Sequence, residues 1–243
     1  MQDRRYNLIE QDNPAVKDAF SMLSGNIHMK SENKGLKSIV ITSAEPKTGK
    51  TSVATNLAIT MTNWGKKCIL IDADMRKRSD ARTLKWGSDM GLAHYLNGMA
   101  EFEEILSYTS IEGLLYISNG NTAANPLGLL CSSRFSILMQ RLRNDYDFIV
   151  IDSPALDSVS DAAVISSKAD GVLLVANVGG TDLDALIRTK EKLEASNTNL
   201  LGVVLNRVGK GHYKKFLKAF KYFYNIQKKA VKKRRQQKNS VVA

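Results

Sequence analysis

A lysine and a threonine hydroxyl follow directly on a glycine in Ala44-Glu45-Pro46-Lys47-Thr48-Gly49-Lys50-Thr51, which fits the spacing G/A-x-x-x-x-G-K-[ST]. Residues of these types at this spacing bind polyphosphate: backbone N–H groups of the loop and the helix behind it surround the phosphates. In such a loop the lysine reaches the β and γ phosphates and the hydroxyl sits on Mg²⁺. The candidate nucleotide-binding run is therefore Glu45, Pro46, Lys47, Thr48, Gly49, Lys50, Thr51 and Ser52, with Mg²⁺ at Thr51.

Three carboxylates fit the same chemistry. Asp72 and Asp74 follow Ile69-Leu70-Ile71, and Asp152 follows Phe148-Ile149-Val150-Ile151. An acid at the C-terminal end of a central parallel strand points into the crevice where a phosphate loop lies. Asp152 has the form of a Walker B acid that holds Mg²⁺ directly or through water. Asp72 and Asp74, two apart, face the same side if the strand continues through them. One could orient a metal-bound water while the other accepts a proton. The acceptor of the phosphoryl group stays open at this point: water would make an ATPase and a hydroxyl a kinase, and neither needs a covalent residue on the protein.

These groups need a scaffold of strands and helices. Continuous apolar runs at 38–43, 67–72, 114–118, 147–152, 171–176 and 200–205 suit parallel strands buried on both faces. Helical patterns cover 13–30, 50–63, 91–97, 101–107, 131–143, 160–168 and 181–196, the first capped by Asn13 with Pro14 in its first turn. The alternation predicts an α/β fold, a doubly wound and mostly parallel sheet of the P-loop NTPase type. The expected divisions are a helical segment (1–35), the P-loop domain (36–208) and a basic tail (209–243).

Composition agrees with one such domain. The chain has 243 residues, 43% of them hydrophobic, enough for a sizeable core. Its two cysteines, Cys68 and Cys131, make neither a disulfide framework nor a metal cluster and read as reduced thiols among apolar residues. His28, His94 and His212 lack partners at metal-ligand spacing, and Trp64 and Trp86 read as packing residues. No apolar run approaches the roughly 18 residues of a membrane span. With no signal-like segment at Met1–Arg5, a cytoplasmic protein is expected.

The formal charge of +11 is concentrated at one end. From Lys210 onward there are twelve Lys and Arg and no acid; removing those twelve from 35 basic residues leaves 23 against 24 acidic. Tyr213, Phe216, Leu217, Phe220 and Tyr224 recur at spacings of three and four with lysines between them, a basic amphipathic pattern. It suits a helix packed on its own domain, an anionic membrane surface, an acidic partner or a modified tail. A nucleic-acid partner is not expected.

Taken together, these motifs resemble the bacterial tyrosine kinases (BY-kinases) of capsule and exopolysaccharide systems, in their free cytoplasmic form, within the deviant Walker group that includes MinD and ParA. The resemblance covers most of 14–208. Ile69–Lys77 is similar to the Walker A′ motif, Gly91–Gly98 and Gly120 with Asn125–Ser133 to two further family segments, Tyr146–Pro154 with Ser160-Asp161-Ala162 to Walker B, and Gly202–Asn206 to the strand whose asparagine reads adenine. The resemblance implies MgATP as cofactor; Lys50, Asp72 and Asp74 as catalytic residues; Thr51, Asp74 and Asp152 at the metal; Asn206 and Arg207 near the base; and Tyr213, Tyr222 and Tyr224 as phosphoacceptors. It further implies a membrane-spanning polysaccharide co-polymerase adaptor that activates the kinase at the inner face of the membrane. A cognate tyrosine phosphatase and self-association, one subunit's tail entering its neighbour's site, belong to the same picture.

The chain departs from the family pattern at Lys47, where a small residue is usual; at Arg76-Lys77-Arg78, where Arg-Lys-Pro is common; at Ser21 and Ser24, which stand at the places of two arginines of an oligomerisation motif; and in having few tail tyrosines. Two other readings stand beside the kinase. One is a MinD- or ParA-like membrane-associated ATPase, against which Glu45 stands where that group carries a signature lysine. The other is a non-catalytic ATP-binding regulator of polysaccharide assembly.

Overall fold

The computed structural model describes residues 5–6, 8, 13–77, 90–120, 123–156, 160–209 and 211, and the statements below concern these. The chain divides into two compact units, 1–206 and 207–243. Tyr213, Tyr222 and Tyr224, together with Arg78, Trp86 and His212, lie outside the described residues.

Among the described residues, eight strands form one sheet: β1 (Arg5–Tyr6), β2 (Ser38–Thr42), β3 (Cys68–Asp72), β4 (Leu106–Thr109), β5 (Leu114–Ile117), β6 (Phe148–Asp152), β7 (Gly171–Asn177) and β8 (Leu200–Asn206). Their order across the sheet is β1-β4-β5-β3-β6-β2-β7-β8. All neighbours run parallel except β4 and β5. This is the doubly wound α/β fold the alternating pattern predicts.

The continuous apolar runs are explained by packing on both faces. Ile39, Ile41, Cys68, Leu70, Phe148 and Val150 point into a core layer shared with α1 (Pro14–Lys34) and α2 (Lys50–Asn63). Their neighbours Val40, Ile69, Ile71, Ile149 and Ile151 point to the opposite layer, built on α3 (Leu92–Leu96), α4 (Phe102–Ile105), α5 (Pro126–Cys131), α6 (Ser133–Asp145), α7 (Asp161–Ser167) and α8 (Leu183–Ala195). Each strand residue meets a helix whichever way it points, so polar alternation would be destabilising here.

Some elements differ from the expectation. The helix expected at 101–107 stops at Ile105, and Leu106–Thr109 becomes β4, pairing antiparallel with β5 through Leu106↔Ile117. The helix expected at 131–143 is α6, which starts at Ser133 behind the extended Ser132 (φ −67°, ψ 158°), and the short α5 before it was not expected. The Asn13 cap is present: its Oδ1 accepts from the Ala15 N–H at 3.0 Å, and Pro14 opens α1. Within α1, Ser21 is exposed but Ser24 is completely buried, so the two positions do not share one surface. Cys68 is buried, as expected, whereas Cys131 is exposed and not packed among apolar side chains. No helix among the described residues is long and apolar enough to cross a membrane.

Candidate active site

The sheet order determines which groups meet. β6 lies between β2, which leads into the glycine loop, and β3, which ends in Asp72. Asp152 at the end of β6 is thus the register partner of Asp72 on one side and of Ile41 on the other. The loop of residues 43–49 leaves β2 and delivers Lys50 and Thr51 as the opening residues of α2.

The loop is held in a shape that suits an anion. Gly49 sits at φ +93°, and a Cβ there would lie 2.3 Å from Asn206 Nδ2. That amide donates to the Thr48 carbonyl at 2.8 Å, tying the loop to the end of β8. Lys47 also adopts a left-handed conformation, φ 61°. The first turn of α2 has no side-chain cap, so its leading N–H groups are directed to whatever the loop encloses. A side chain at Gly49 would push against Asn206 and deform the loop, so glycine here keeps the shape that suits a phosphate chain.

The acids fit a hard cation. Thr51 Oγ1 donates to Asp152 Oδ2 at 2.5 Å. The other oxygen, Asp152 Oδ1, is buried and accepts no hydrogen bond. A buried carboxylate oxygen without a donor is costly unless a cation meets it, and an all-oxygen set of hydroxyl and carboxylates suits Mg²⁺. Burial, above all, pushes the Asp152 carboxyl up to about 6, against the Thr51 hydrogen bond. Burial and then the nearby Asp152 push Asp72 up to about 7. Burial likewise holds the Lys50 ammonium below its ordinary value, with Asp152 and Asp74 pulling the other way.

Asp74 is placed differently from the expectation. β3 ends at Asp72, so strand alternation does not align the two acids. Instead the chain turns, and the Asp74 N–H donates to Asp72 Oδ1 at 3.0 Å, an Asx-type turn. The Asp74 carboxylate then meets Lys77 Nζ at 3.2 Å. The turn is fastened by residues that the sequence did not single out as site residues. Asn119, fully buried, donates from Nδ2 to the carbonyls of Asp74 (2.8 Å) and Lys77 (2.9 Å). Asp161, 1% exposed at the start of α7, accepts Arg76 Nε at 2.7 Å and Nη2 at 2.9 Å. Both Asp161 oxygens are thus given to Arg76. Asn119 left one signal, a polar residue just past an apolar strand.

Glu45, Pro46, Thr48 and Ser52 fall in the loop or the first turn of α2 beside Lys50 and Thr51. Arg207 lies in the second unit, at φ 55°. Among the described residues there is no cluster of three or more His, Cys, Asp or Glu suited to another metal.

A parallel sheet with a glycine loop, a lysine and a threonine at one strand end and acids at the next two defines a P-loop nucleotide-binding protein. Comparison with known proteins narrows that class. A family model described as an AAA domain matches residues 36–201. The chain is 34% identical over 194 residues to a tyrosine-protein kinase, CpsD, of Streptococcus agalactiae, spanning 79% of this chain and 84% of that one. Its fold matches the crystal structure of the chimeric protein CapA2B2 with a TM-score of 0.77 and 31% identity, over 84% of this chain and 94% of that one. It also matches the kinase domain of the Escherichia coli tyrosine kinase Etk with a TM-score of 0.75 and 30% identity, over 82% and 80%. The chain belongs to the bacterial tyrosine-kinase family.

Proposed function

We propose that this chain transfers the γ-phosphoryl group of MgATP to tyrosine hydroxyls, those of Tyr213, Tyr222 and Tyr224 in its own C-terminal segment foremost, and thereby regulates capsular or exopolysaccharide assembly and export. The observation that carries the reading is the Thr51–Asp152 hydrogen bond beside an orphaned Asp152 oxygen, in a chain one third identical to a tyrosine-protein kinase.

In this reading Lys50 and the N–H groups of Glu45 and residues 47–52 hold the phosphates. Thr51, Asp152 and Asp74 would hold Mg²⁺, which when bound would offset the charge on the phosphate oxygens. Asn206, at the end of β8, would read the base. A tyrosine oxygen forms a bond to the γ-phosphorus as the bond to the bridging oxygen breaks and ADP leaves. The phenolic proton passes to a carboxylate. Asp72 suits that task, because burial brings its pKa to about 7, near the operating pH. Asp74, on the same turn, is paired with Lys77 and would complete the oxygen set of the metal.

The expected partner is a membrane-spanning polysaccharide co-polymerase adaptor whose cytoplasmic tail activates the kinase and brings it to the membrane; self-association and a cognate phosphatase complete the cycle. The test is incubation of the full chain with γ-labelled ATP and Mg²⁺, with and without that cytoplasmic tail as a peptide. Label on tyrosine, increased by the peptide, supports the reading. Release of inorganic phosphate with no phosphotyrosine would instead indicate a MinD- or ParA-like ATPase. Bound ATP with neither product would indicate a regulator.

A further inference from the structure

Two cations follow Asp74 in the sequence, and the structure uses them differently. The Arg76 guanidinium points away from the acids and forms a bidentate pair with Asp161. Asp161 is almost fully buried and depends on that pair for its counter-charge. Lys77 points the other way. Its Nζ lies 3.2 Å from Asp74 Oδ2. It also feels Asp72 and Asp152, and the three acids together hold its ammonium above its ordinary pKa although burial opposes this. The Asp74 N–H in turn donates to Asp72 Oδ1 at 3.0 Å, so Lys77 stands beside the acids of the site.

The backbone of Lys77 is fixed as well. The buried Asn119 amide donates to the Lys77 carbonyl at 2.9 Å and to the Asp74 carbonyl at 2.8 Å. These bonds fix the backbone from Asp74 to Lys77, so the Lys77 side chain departs from a held point. A cation aimed at the reacting phosphate from a rigid support is what phosphoryl transfer requires, because charge gathers on the equatorial oxygens as the group passes.

We propose that Lys77 is a second catalytic cation, exchanging Asp74 for the γ-phosphoryl oxygens when MgATP binds and stabilising their charge during transfer. The proposal rests on the reading of Lys50, Asp72, Asp74 and Asp152 as a phosphoryl-transfer site.

The test is steady-state kinetics of the full chain with MgATP, the adaptor's cytoplasmic peptide and a Glu-Tyr copolymer as acceptor, for the wild type, Lys77→Met and Lys77→Arg. Methionine keeps the apolar stem; thermal melting and metal-free binding of a fluorescent ATP analogue verify that each variant is folded. Loss of a transition-state contact lowers kcat by about 100-fold in Lys77→Met, leaves MgATP affinity within about threefold of wild type, and is partly restored in Lys77→Arg. A kcat within about twofold of wild type, or a loss confined to MgATP affinity, overturns the proposal. If the wild type itself transfers nothing, the underlying function is contradicted and the role of Lys77 falls with it. An active wild type with an equally active Lys77→Met contradicts Lys77 alone.

Discussion

Asp72 and Asp152 are register partners at the C-terminal ends of adjacent parallel strands, and both are almost completely buried. Burial, and then the Asp152 charge beside it, raise the proton affinity of Asp72. The ordinary carboxyl value is 3.8, and the folded chain raises Asp72 to about 7. The folded state therefore keeps a proton that the unfolded state has lost. Its contribution to stability is fully present below pH 4 and lost as pH rises through about 7. Asp72→Asn removes this dependence: denaturant unfolding of the nucleotide-free chain shows the variant more stable than wild type at pH 8, by on the order of 2 kcal/mol, and indistinguishable from it at pH 4.

Asp170 carries the opposite slope. It accepts from the N–H groups of Lys37 (2.9 Å) and Ser38 (2.8 Å) and from the Ser38 hydroxyl (2.8 Å), and it pairs with Arg143 at 3.1 Å. Burial works against the charge, but the Ser38 hydroxyl, the backbone donors and Arg143 outweigh it and hold the pKa below the ordinary value. Its stabilisation is present above the unfolded carboxyl pKa and is lost as pH falls through the lower folded one. Asp170→Asn costs about 2 kcal/mol at pH 7. Unfolding followed from pH 7 to pH 2 shows a gap between variant and wild type that closes in acid.

Gly49→Ala encounters two obstacles, a φ of +93° and a Cβ placed 2.3 Å from Asn206 Nδ2. The strained backbone alone costs on the order of 1 kcal/mol. Displacing Asn206 also breaks its bond to Thr48, so the loop loses its shape. Titration with a fluorescent ATP analogue shows affinity reduced at least tenfold. Asn206→Ala in the same chain relieves the clash but not the backbone strain, and restores only part of the binding.

Asp152→Asn separates metal from nucleotide. Asparagine still accepts from Thr51 but offers no charge to a cation at the buried second position. The Mg²⁺ concentration for half-maximal turnover rises at least tenfold, while metal-free binding of the ATP analogue stays within about threefold.

The phosphate loop was legible because its whole mechanism lies in eight consecutive residues, and the strands because burial on both faces leaves an unbroken apolar run. The strand β4 was not. Leu106–Thr109 continues a helical pattern in sequence, and only its pairing with β5, near the edge of the sheet, makes it extended. The turn after β3 was read as more strand, because Asp-Ala-Asp does not reveal that the Asp72 carboxylate will capture the Asp74 N–H. Asn119 and Asp161 act across 42 to 85 residues of chain, so no local pattern announces what they hold.

The central claim, that this site phosphorylates tyrosine, is tested most directly by mass spectrometry of the full chain after incubation with MgATP and the adaptor's cytoplasmic peptide, beside Lys50→Met. Phosphate on Tyr213, Tyr222 or Tyr224 in the wild type and on none of them in Lys50→Met is the expected result. Unmodified tyrosines in a wild-type chain that binds and hydrolyses ATP would contradict it.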